Sequence, residues 1–85
     1  MIDLEKLEKG LNELRGLDVI ETEREERLAG NTTIELSTSK SFQARLAARA
    51  LGVNVHDLFE LPANEFHLVC VRCFAFLNTP VEPTT

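Results

Sequence analysis

The sequence predicts a mainly α-helical domain of three to four helices. Leucines recur at helical spacing near the start, at positions 4, 7, 11, 14 and 17. Residues 41–78 read as three helical stretches, with Ser, Gly, Asn and Pro where helices start and stop. One segment, 31–38, alternates polar and apolar residues as a strand does. Eighty-five residues make one domain, 1–85. So small a domain buries a modest share of its surface, and such chains often recruit a partner, a metal or disulfides.

The first element is an amphipathic helix within 1–16. Asp3 caps its start. Leu4, Leu7, Leu11 and Leu14 form a stripe with heptad character. Gly10 weakens the helix by about 1 kcal/mol relative to Ala, and Gly16 is a natural stop. Two heptads are too short for an independent coiled coil, so the stripe must lie on its own domain or on a second protein.

Residues 17–37 admit two readings. LDVIE and NTTIELST can pair as a short hairpin over about 17–21 and 32–37, opened by the turn Gly30-Asn31. TEREERLAG instead carries a capping-box pattern, with Thr22 three residues before Glu25.

The second half is clearer. Ser39 or Ser41 caps SFQARLAARAL, and Gly52 ends it. Phe42, Leu46 and Ala50 share one face, while Arg45 and Arg49 point elsewhere together. Asn54 caps a short helix with Val55, Leu58, Phe59 and Leu61 on its apolar side. Pro62 opens a last helix running to about Asn78, and Pro80 and Pro83 close it, leaving 79–85 as a loose tail.

Charge narrows the function. The net charge is −5, from 14 acidic and 9 basic residues. This opposes general nucleic-acid affinity and docking on anionic membranes. Glu21, Glu23, Glu25 and Glu26 form an acidic run that reads as a solvated face. No basic leader with an apolar core opens the sequence, and no run is long enough to span a membrane. Two cysteines in such a chain point to free thiols in a reducing cytoplasm.

The last helix contains HLVCVRCFAFLN, with only His67 and Arg72 polar between Phe66 and Leu77. A helix apolar nearly all round is buried nearly all round, and a chain this small cannot cover it unaided. A second subunit or a client is therefore expected against it. The only conceivable zinc set is His56, His67, Cys70 and Cys73. The C-x2-C pair sits mid-helix among Val, Leu and Phe, which reads as core volume rather than a metal or redox site. No nucleophile–base set and no glycine-rich phosphate loop is present. Neither catalysis nor a cofactor is expected.

Two resemblances follow from these residues. RLAARALGVNVHDLFE, Arg45 to Glu60, resembles the last part of a repressor-type helix-turn-helix domain, but without the preceding basic recognition helix. That resemblance implies DNA contact through Arg45 and Arg49. The longer stretch Phe42 to Asn78 resembles the C-terminal part of small tail assembly chaperones of Mu-like and P2-like bacteriophages. The matching positions are Leu46, Leu51, Gly52, Leu58, Leu61, Phe66, Val69, Phe74 and Leu77. It implies a non-catalytic protein that holds the long, apolar tape-measure protein soluble while the tail tube assembles. The expected client or oligomer interface is Phe66, Val69, Cys73, Phe76 and Leu77, with Leu4, Leu7, Leu11 and Leu14 as a second strip. A homodimer or higher oligomer is expected. The alternative is an acidic phage inhibitor of a host defence or regulatory complex, using the Glu21–Glu26 run to mimic nucleic acid.

Overall fold

A computed structural model describes residues 2–79; the expected loose tail from residue 80 onward lies outside them. The described chain is all-helical. It comprises α1 (Leu4–Glu13), α2 (Gly16–Leu28), a 3-10 turn (Leu36–Thr38), α3 (Lys40–Leu51), α4 (Val55–Phe59) and α5 (Ala63–Leu77).

The expected hairpin is absent. Residues 17–21 lie inside α2, so residues 32–37 have no strand to pair with. Local chemistry starts α2 two residues after α1 has ended. The Asp18 carboxylate accepts the Arg15 backbone N–H at 2.8 Å, which caps the new helix. Thr22, expected to cap, lies mid-helix and donates its hydroxyl to the Asp18 carbonyl at 2.7 Å. The alternating segment that follows is a loop built on side chains. The Arg27 guanidinium donates to the carbonyls of Asn31 (3.1 Å) and Thr33 (2.6 Å). Glu35 caps the 3-10 turn through the Ser37 N–H, and buried Gln43 donates to the Ser37 carbonyl at 2.7 Å. These bonds satisfy the backbone groups that a sheet would otherwise pair.

The helix buried nearly all round is α3, not α5. Seven of its residues are buried: Phe42, Gln43, Ala44, Leu46, Ala47, Ala48 and Leu51. It packs against α1, α2, α4, α5 and the 3-10 turn. Ser39 caps its start by accepting the Phe42 N–H. Gly52 ends it in the left-handed conformation, φ 71°, which residues with a Cβ rarely adopt. Asn54 then caps α4, and Pro62 precedes α5.

Small residues on α3 let its neighbours come close. Gly10 of α1 lies directly over the Ala50 backbone. A Cβ built on Gly10 would stand 2.8 Å from the Ala50 carbonyl carbon and overlap its oxygen. The sequence reading treats Gly10 as a weakness in a helix; the structure makes it the crossing point of two. Leu7 and Leu11 flank that crossing and are fully buried.

Replacing Gly10 by Ala should therefore destabilise the protein, although Ala is the better helix former by about 1 kcal/mol. The clash is with backbone, and overpacking of this kind costs about 1–3 kcal/mol. Thermal unfolding monitored by circular dichroism should show a lower midpoint for Gly10→Ala. A raised midpoint would mean that α1 does not cross α3 at this point.

Candidate functional site

Two surfaces stand out: the seam between α2 and α3, and the outer face of α5. The seam is polar. The residues of α2 buried against the rest of the chain are Thr22 and Glu26. The Glu26 side chain, 3% exposed, accepts from Arg45 Nε at 2.8 Å, from Asn31 at 2.8 Å and from Ser41 at 3.0 Å. Arg49, one turn along α3, donates to Asp18 (3.1 Å), Glu21 (3.1 Å) and Glu25 (2.9 Å). Two arginines at i and i+4 thus meet four carboxylates on a single face of α2.

The ionisation of these groups follows from the contacts. Burial pushes the Glu26 carboxyl up, but hydrogen bonds from Arg45, Asn31 and Ser41 outweigh it and hold the group below its ordinary 4.5. The Arg15 backbone N–H, with Arg49 second, holds Asp18 below its ordinary 3.8. Hydrogen bonding to Glu25, and then to Asp18 and Glu21, raises Arg49 against the opposing effect of desolvation.

The acidic run is therefore not a free solvated face. Glu26 is buried, and Glu21 and Glu25 are paired with Arg49. Of the expected acidic patch, Glu23 alone makes no ion pair among the described residues. The same pairing occupies both arginines that the helix-turn-helix resemblance would send to DNA.

With its polar face turned inward, α2 presents apolar residues outward. Leu17 is 65% exposed, Ile20 55% and Leu28 82%. They fall on one side of the helix at steps of three and eight residues, with exposed Arg24 between Ile20 and Leu28. The charge run drew the sequence reading away from this stripe. The signal that could have found it is the i, i+3, i+11 spacing of 17, 20 and 28.

The helix α5 has two apolar faces. Val69, Cys70 and Cys73 are buried, and Phe66, Phe76 and Leu77 pack half-buried on the core. Of the expected interface, Leu7, Leu11, Val69 and Cys73 thus lie fully inside the core. Leu4, Leu14, Phe66, Phe76 and Leu77 lean on it. The apolar residues left outward are Leu68, Val71 and Phe74, each about 40% exposed. Their ridge runs between two grooves. One, of about 510 Å³, is lined by Ile2, Leu4, Pro62 and Leu68 among others. The other, of about 260 Å³, includes Lys40, Gln43, Cys70, Val71 and Phe74.

The four residues of the conceivable zinc set are not gathered into one site. His56 sits on α4 against the edge of Phe59, ring centroids 5.7 Å apart. His67 Nδ1 lies 3.0 Å from Lys40 Nζ, and Cys70 donates its S–H to the Lys40 carbonyl at 3.6 Å. Among the described residues no three His, Cys, Asp or Glu side chains are arranged to hold a metal. Burial pushes the Cys73 thiol up to about 12, with neighbouring Cys70 adding to the shift. Burial also raises Cys70, partly offset by Lys40. Neither thiol is a thiolate near neutral pH, so neither is an activated nucleophile.

The class this geometry defines is a small all-helical domain with two exposed apolar ridges. Comparison with protein-family models, curated proteins and solved structures found no match to the chain. None of the described helices is long and apolar enough to cross a membrane.

Two outcomes test the seam and the thiols. Glu26→Ala leaves Arg45, Asn31 and Ser41 without their shared acceptor and should cost about 2–3 kcal/mol in chemical denaturation. Because Asp18 and Glu26 have depressed folded pKa values, their contribution is complete above their ordinary 3.8 and 4.5. It is lost as pH falls through the lowered folded values. A stability profile flat from pH 6 to about pH 2 would contradict the pairing. For the thiols, native protein should react with a thiol reagent at least roughly a hundredfold more slowly than protein in denaturant. Equal rates would place the cysteines at the surface.

Proposed function

We propose that this protein is a non-catalytic interaction module that shields an apolar helical client through the outer face of α5. The most concrete client class is a tape-measure-like protein, in the manner of the phage tail assembly chaperones that the second half of the sequence resembles. The observation carrying the reading is the ridge Leu68, Val71 and Phe74, left uncovered between two grooves. Contiguous exposed apolar residues beside grooves mark binding surfaces. A helix laid along such a ridge would contact it at i, i+3 and i+4 spacing. The surplus of five negative charges keeps a complex with an apolar client soluble.

The other two readings have less support. Mimicry of nucleic acid needs unpaired carboxylates, and DNA contact needs unpaired arginines. The α2–α3 seam pairs both arginines and every glutamate of the run except Glu23.

Co-expression with a fragment of a tape-measure protein should raise the soluble fraction of that fragment. The double variant Leu68→Asp, Val71→Asp should remove the effect, because each buried aliphatic side chain contributes about 1.5–3 kcal/mol to such contacts. Both positions are exposed, so the variant should unfold at a midpoint close to that of the parent. Failure of the parent protein to solubilise the fragment would dismiss the client, and an undiminished effect in the double variant would dismiss the surface.

A further inference from the structure

We infer that the outward stripe of α2 pairs with the same stripe of a second copy, antiparallel, about a two-fold axis near its middle. This does not depend on the identity of the client, which the α5 ridge serves. The inference starts from the inverted helix. α2 spends its polar face on Arg45 and Arg49, and leaves Leu17, Ile20 and Leu28 facing solvent. Arg24 lies within this stripe, exposed and without an ion pair among the described residues.

The stripe is complementary to itself in reverse. An antiparallel pair centred between Thr22 and Glu23 places Leu17 of one copy opposite Leu28 of the other, twice. It also places Arg24 opposite Glu21, whose side chain is still 44% exposed beside Arg49. Ile20 then packs near the axis, against Leu28 and the aliphatic stem of Arg24 of the second copy. Apolar ends meet apolar ends, and opposite charges meet near the centre. A parallel pair would instead bring Arg24 against Arg24. Symmetric self-complementary patches of this kind are the ordinary route to homodimers. Six apolar residues, three from each copy, and two charge pairs make a small interface, so the dimer belongs to the weak, reversible class.

The test is sedimentation equilibrium of the full chain over roughly 5 to 500 µM, the range in which weak small interfaces titrate. The average mass should rise from one chain toward two. Ile20→Glu, at an exposed position, should shift the midpoint at least roughly tenfold without lowering thermal stability. Register is read by cross-linking. Leu17→Cys protein mixed with Leu28→Cys protein should form an intermolecular disulfide readily. Leu17→Cys protein alone should not, because its two thiols would lie about 16 Å apart along the axis. The buried Cys70 and Cys73 do not compete. A monomer throughout the range, or homotypic cross-links equal to the mixed ones, would overturn the pairing. So would a monomer in which Ile20→Glu abolishes client solubilisation, since the stripe would then belong to the client.

Discussion

Everything in this domain leans on one helix, and α3 can bear that load because it is made of small residues. Ala44, Ala47, Ala48 and Ala50 leave room on several sides at once. Leu46, Leu51 and Phe42 supply volume where gaps remain. Across the narrowest approach, Gly10 removes the only side chain that would hold α1 away. A chain of 85 residues cannot build a thick core. Four helices set closely round a slender fifth is one way to bury enough surface with few residues.

That centre treats its neighbours differently. Toward α1 and α5 it offers leucine, phenylalanine and alanine, and receives Leu7, Leu11, Val69 and Cys73. Toward α2 it offers two guanidinium groups. Desolvating charges is costly, and the seam is tolerable because its most buried carboxylate and its central guanidinium each find several partners. Glu26 has three hydrogen-bond donors and Arg49 three carboxylates. The consequence reaches the surface. Because α2 docks largely by its polar side, only Val19 of its larger aliphatic residues leans on the core, and Leu17, Ile20 and Leu28 face outward. The paired carboxylates of α2 and its exposed apolar stripe are two results of one docking choice.

How much of this is readable from the sequence varies along the chain. From Ser39 to Leu77 the punctuation by Ser39, Gly52, Asn54 and Pro62 sets the helix limits to within a residue or two, because each acts on the backbone next to it. Leu7 and Leu11 are legible as an apolar stripe, although what they pack on is not. Residues 17–37 are not legible, for a definite reason. LDVIE is short enough to suit a strand, and what makes it helical is the Asp18 carboxylate on the Arg15 N–H together with contacts to Arg49, 31 residues away in sequence. The candidate surface is misread for a related reason. Periodicity shows that α5 is apolar on every side but not which side is taken. Val69 and Cys73 were as eligible for solvent as Leu68 and Val71 until α3 claimed one face.

The mixed character of the core also sets how the domain responds to heat. Apolar surface raises the heat capacity of unfolding, and polar surface lowers it. The α1–α3–α5 packing contributes the first kind and the α2–α3 seam the second. Charge hydration becomes less favourable on warming, so the seam loses less strength with temperature than the leucine contacts gain or lose on either side of their optimum. A domain of this size should therefore have a shallower stability curve than a purely aliphatic bundle of the same length, holding α2 in place over a wide thermal range.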